Sequence, residues 1–160
     1  MKASICKATL TAALACLTLG GASLAQAGTC SDASLKGKYG QTISGQLLPG
    51  PGVVLPQNGV AMTDFDGNGT FTQTDFVVID GSPTSSGFES ETGTYHVNSD
   101  CTGTAIIHYS DGSEIDLALV VVKQGREFRT VVTFLSMGGH PVPTNIGSNG
   151  VRVDGADGHR

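Results

Sequence analysis

The chain has 160 residues, a net charge of −5 and only 14% charged residues, with 23 glycines. An acidic chain without a basic run excludes binding driven by nucleic-acid phosphates or by anionic membranes. Sparse charge and abundant glycine suit an all-β protein of many tight turns rather than a helical one.

Lys2 and Lys7 precede an apolar run over residues 8–19, which is followed by Ala25-Gln26-Ala27. This is the pattern of a secretory signal peptide, so residues 1–27 are expected to be removed and the mature chain to begin at Gly28. The run is too short for a permanent membrane span. The residues before Cys16 and Cys30 make poor lipoprotein sites, so soluble export to the periplasm or the medium is expected, without stable membrane insertion. The leader carries two basic and no acidic residues, so the mature chain has a net charge of −7. Its length suits one domain over residues 28–160. Two of the four cysteines leave with the leader; Cys30 and Cys101 remain, and in an oxidising compartment the pair is expected to form a disulfide.

Residues 32–36 read as a short helical turn capped by Ser31 or Asp32. A glycine-rich first strand follows over 37–45, then a proline-rich loop over 48–57. A second strand over 60–65 turns at Asp66-Gly67-Asn68-Gly69 into a third over 70–79. After a loop over 80–87, a fourth strand runs over 88–97 and turns at Asp100-Cys101-Thr102-Gly103 into three consecutive strands within 104–136. A long loop over 137–149 leads to a short closing strand over 150–154, and residues 155–160 are expected to fray. About eight strands joined mainly to their neighbours predict a single antiparallel up-and-down β-barrel, with a β-sandwich as the alternative.

The Asp111-Gly112 pair between apolar residues is a strong signal for a two-residue hairpin turn. With that turn, His108 faces Ile115 and Ile106 faces Leu117. A second joint at Gln124-Gly125 sets Val121 opposite Phe128, Leu119 opposite Thr130 and Leu117 opposite Val132. One face then carries Ile106, His108, Ile115, Leu117, Leu119, Val121, Phe128, Thr130, Val132 and Phe134, nearly all apolar and therefore expected to point inward.

Three stretches carry a resemblance: residues 35–40 (Leu-Lys-Gly-Lys-Tyr-Gly), the Asp66-Gly67-Asn68-Gly69 turn, and residues 93–103 from Gly93 through Tyr95 and Cys101 to Gly103. They are similar to a group of exported bacterial proteins without known function that are thought to be calycin-like. Such proteins are related in shape to lipocalins and to the allene oxide cyclase barrel. The resemblance implies a barrel, with either a ligand carrier or a cofactor-free cyclase or isomerase as its activity. In the place of the lipocalin Gly-x-Trp stands Gly37-Lys38-Tyr39, and the chain has no Trp.

Residues 64–75 match part of an EF-hand calcium loop, with Asp64, Asp66, Asn68 and Asp75 as oxygen donors around Gly69. The competing reading is a plain hairpin whose Asp, Asn and Gly residues serve the turn, and it is preferred because a strand leaves the loop and Asp75 stands where a bidentate Glu is usual. No metal or cofactor is expected on the preferred reading, and calcium on the other. His108, with Glu91 and Tyr95 on the adjoining strand, is the candidate for proton transfer. No nucleophile elbow, phosphate loop or zinc motif occurs. The expected function is binding of a small apolar molecule lined by Ile106, His108, Ile115, Leu117, Leu119, Phe128, Thr130, Val132 and Phe134. A cyclase or isomerase, or a packed barrel acting through its surface, are the alternatives.

Overall fold

Period-two alternation builds ten strands in residues 29–153, the part of the chain that the computed structural model describes. The expected leader over 1–27 and the fraying expected over 155–160 fall outside the described residues. The strands are β1 (Gly37–Gly50), β2 (Val53–Phe65), β3 (Thr70–Ile79), β4 (Ser82–Pro83), β5 (Glu89–Val97), β6 (Thr102–His108), β7 (Glu114–Val122), β8 (Glu127–Met137), β9 (His140–Pro141) and β10 (Thr144–Arg152). All pairings are antiparallel in the order β1-β2-β3-β5-β6-β7-β8, and β10 pairs with both β8 and β1. Eight strands therefore close into an up-and-down barrel, while β4 and β9 only extend β3 and β8 beyond its rim. The sandwich alternative is ruled out.

Three strand expectations are corrected. The proline-rich stretch over 48–57 is the end of a long β1–β2 hairpin that turns at Pro51-Gly52. Its prolines are tolerated because Pro49 falls where the register shifts between Leu47 and Gly50, and Pro56 offers only its carbonyl, to the Asp80 amide. The expected loop over 137–149 contains the turn of the β8–β9 hairpin and two thirds of β10. The closing strand begins at Thr144 rather than at 150.

The register of β6 differs by one residue from the expectation. Ile107 pairs with Ile115, Ala105 with Leu117 and His108 with Glu114. A two-residue turn of the favoured type needs positive φ at both central residues, and here only Gly112 has it, at +82°. The loop instead spans Ser110 to Gly112. It is closed by the Tyr109 amide on the Ser113 carbonyl, and the Asp111 carboxylate accepts from the Ser113 amide at 2.8 Å. One added loop residue turns every β6 side chain over. Ile106 and His108 face outward, and Ala105, Ile107 and Tyr109 face inward. A second slip occurs in β8, where the pairing with β7 skips Thr133, so Leu135 is buried and Phe134 is exposed. The β7–β8 pairs at Val121, Leu119 and Leu117 stand as the Gln124-Gly125 joint implies.

One end of the barrel is sealed. Before β1 the chain makes a single 3-10 turn (Asp32–Ser34) and then drops Leu35, wholly buried, into the barrel end. There Tyr39, Phe65, Phe71, Tyr95 and Phe128 meet with ring centroids 5.0–6.4 Å apart, mostly edge-on or tilted. The Tyr95 hydroxyl donates toward the Asp32 and Leu35 carbonyls, both at 2.9 Å, and the Asp32 carboxylate accepts from the Val97 amide at 2.6 Å. The Cys30–Cys101 disulfide ties this segment to the β5–β6 turn, with Cα atoms 5.0 Å apart. A smaller apolar group of Leu47, Leu135 and Ile146, with Leu55, Ile79 and Val142 against it, lies toward the other end. Among the described residues no helix is long and apolar enough to cross a membrane.

Candidate functional site

Between the aromatic plug and the opposite rim lies a cavity of about 360 Å³. Its floor is Phe65, Phe71 and Phe128. Its walls are Ile43, Val77, Ile107, Ile115, Leu117, Leu119, Val132 and Ile146, and Thr84, Asp111 and Met137 stand at the mouth. The size is that of a small-molecule pocket.

Running around this apolar wall is a belt of polar side chains held strand to strand. Thr130 on β8 meets Ser148 on β10 at 2.7 Å, and Ser148 Oγ donates to Gln41 Oε1 on β1 at 3.0 Å. Because the Ser148 proton is used there, Thr130 is the donor in the first contact. Gln41 Nε2 donates to Thr63 Oγ1 on β2 and, at 3.2 Å, to Gln73 Oε1 on β3. Thr63 Oγ1 also donates to Gln73 Oε1, at 2.8 Å, and Gln73 Nε2 reaches Asp75 Oδ2 at 3.3 Å. Every donor in the chain points the same way, and the chain ends on a carboxylate. Such a run polarises its members cooperatively.

Two buried acids sit at that end. Asp75 and Glu91 are each only 5% exposed. Burial pushes the Asp75 carboxyl up to about 6, a rise opposed by the Gln73 hydrogen bond and aided by the Glu89 charge. Burial likewise raises Glu91 to about 7, with the charges of Asp75 and Glu89 adding to it. Glu91 lies on the inward face of β5 with Gly93, Tyr95 and Val97, directly opposite Gln73 in the β3 register. Among the described residues neither of its carboxylate oxygens has a hydrogen-bond partner. A carboxylate in that condition is costly, and a shifted acid beside a cavity is a marker of function.

The residues singled out from the sequence divide cleanly. Ile115, Leu117, Leu119, Phe128, Thr130 and Val132 line the cavity, whereas Ile106, His108 and Phe134 do not. His108 is on the outer surface with Nδ1 3.3 Å from Glu114 Oε2, so it cannot act inside the barrel. Tyr95 is spent in the plug, where burial pushes its phenol up to about 12. Of that trio only Glu91 stays near the cavity, and the three do not come together. The four oxygen donors of the alternative calcium reading lie apart. Asp66 closes the β2–β3 turn by accepting from the Asn68 and Thr70 amides, Asp64 pairs with Lys38 at 2.7 Å, and Asp75 is inside the barrel. These oxygens do not converge, and among the described residues no group of three or more acidic, His or Cys side chains is placed to hold a metal ion.

Sequence reasoning missed the polar belt and the role of Asp75. The signal was present in β3, where Phe71, Val77 and Ile79 share a face with Gln73 and Asp75 by strict alternation.

No protein-family model and no curated protein matches the chain. Among solved structures it is similar to the S-type phycobiliprotein lyase CPES from Guillardia theta, with 10% sequence identity and a TM-score of 0.49. The match covers 77% of this chain and 90% of that one.

Proposed function

We propose that the protein is an exported carrier that holds one small, largely apolar molecule inside its barrel. The observation that carries this reading is the cavity of about 360 Å³, floored by the aromatic plug and walled largely by apolar side chains, with a belt of polar side chains around it and further polar groups such as Thr84, Glu89 and Asp111 in its lining. In a protein whose other barrel end is filled tightly, unfilled apolar volume is a cost that ligand binding offsets. A volume of this size accommodates on the order of a dozen water-sized groups, which sets the scale of the occupant. The apolar wall supplies affinity and the belt orients one polar end. Export rests on the leader over residues 1–27, and an intact mass of the exported protein beginning at Gly28 checks it.

The test of binding is fluorescence titration with the neutral apolar probe N-phenyl-1-naphthylamine. Saturable enhancement at micromolar concentrations is expected for the wild-type protein. Leu117→Trp, which pushes an indole into the cavity, is expected to weaken it at least tenfold with the β-sheet circular dichroism unchanged. Equal binding by the two proteins would place the probe elsewhere and remove the reading.

A further inference from the structure

The side chains that line the cavity include three carboxylates, from Asp75, Glu89 and Asp111, and no Lys, Arg or His. Glu91, opposite Gln73 on the neighbouring strand, is a fourth acid that stands behind this lining, and among the described residues its two buried oxygens have no partner. The polar belt sends one amide donor to Asp75 and none to Glu91, so the wall has unused acceptor capacity and an excess of negative charge. The acids do not converge as a metal ion would require. We propose that the carrier's ligand is an organic cation, an apolar body bearing an ammonium or related group, with its charge held at Asp75, which the buried Glu91 carboxyl backs, and its body against the aliphatic wall. The inference rests on the carrier reading and names the ligand class of that same cavity.

Chemistry favours this occupant over a neutral or anionic one. An anion would meet carboxylates in a poorly solvated site and be repelled by them. A neutral alcohol satisfies one acceptor and leaves the rest. A cation supplies the missing counter-charge and lets both acids ionise where burial alone holds them protonated. Binding is therefore coupled to proton loss. The titratable groups that face the pair are Glu89 on β5, Tyr109 at the end of β6 and Asp111 in the loop beyond; all are acids, and Tyr109 is itself raised by burial and by its acidic neighbours. Nothing basic competes for the carboxylates from the cavity side. Asp75 and Glu91 lose their protons near pH 6 and pH 7, so affinity for a permanent cation is expected to rise through that interval and then level off.

The experiment displaces N-phenyl-1-naphthylamine with three probes of one chain length: octyltrimethylammonium, octyl sulfate and 1-octanol. Octyltrimethylammonium is expected to compete at least tenfold better than either of the others at pH 8, and at least tenfold better at pH 8 than at pH 5. In Glu91→Gln and Asp75→Asn, both near-isosteric, that preference for the cation over 1-octanol is expected to collapse. If the fluorescent probe binds and the three octyl compounds compete alike, or the sulfate competes best, the cation inference is overturned and the carrier reading stands. If neither the fluorescent probe nor any octyl compound binds, both are overturned. The charge preference and its pH profile are measured on the wild-type protein, so the test does not depend on the variants folding.

Discussion

Glu91 shows how one side chain can work against the fold that holds it. Its carboxyl titrates near 4.5 when the chain is unfolded and near 7 in the barrel. Between those values the native state binds more protons than the unfolded state, so stability falls as pH rises. The contribution is whole below about pH 4.5 and gone above about pH 7. Glu91→Gln removes the titration while keeping the shape. We expect the variant to be more stable than the wild type by up to about 3 kcal/mol at pH 8, and equal to it near pH 4. Urea denaturation at the two values checks this, and a variant less stable at pH 8 would mean that Glu91 is partnered in solution. His108 is the opposite case, a residue that looked internal from its neighbours and is external because a loop is one residue longer. The sequence around it holds both possibilities, since Asp-Gly serves a two-residue turn and also the end of a three-residue one. What decides is the Asp111 carboxylate reaching the Ser113 amide, a side-chain choice that alternation does not encode.

At the scale of elements, the strands were legible where alternation is uninterrupted and obscured where the backbone departs from it. Residues 70–79 appear as β3 with the bounds that the pattern predicts. The β7–β8 pairing is also as expected up to Leu117, and beyond it the extra residue in β8 exchanges Phe134 for Leu135 at the interior. Proline hid the outer half of the β1–β2 hairpin, because edge prolines mimic a loop in composition. The segment before β1 is legible only as a turn, and its importance comes from packing. Gly125 shows how closely that packing is set. It holds φ at +78°, and a Cβ there would stand 2.0 Å from the Ser34 carbonyl oxygen. Its own carbonyl accepts the buried Tyr39 hydroxyl. Tyr39→Phe should therefore cost about 1–2 kcal/mol, the value of a buried hydrogen bond with its acceptor left behind. Thermal and urea unfolding measure it, and probe binding should be unchanged because Tyr39 does not line the cavity.

For the whole molecule, the two ends of the barrel have different tasks. The plug end concentrates the aromatic rings, the 3-10 turn and the disulfide. The cavity end holds aliphatic walls, the belt and the acids. Stability and binding should therefore separate under perturbation. Cys30 and Cys101 are 71 residues apart in sequence, and releasing a loop of that length gives the unfolded chain entropy worth roughly 4 kcal/mol in the chain-entropy model. Replacing both cysteines with alanine should lower the urea midpoint accordingly. Most of the loss acts through the unfolded state, and the plug keeps the Tyr95 and Asp32 hydrogen bonds that anchor it. Below the transition, then, the doubly substituted protein should bind N-phenyl-1-naphthylamine within about twofold of wild type, since a loss carried by the unfolded state leaves the native cavity unaltered. A parallel fall in affinity and stability would show instead that the plug and the cavity form one cooperative unit, with the aromatic floor shifting when the N-terminal turn is released.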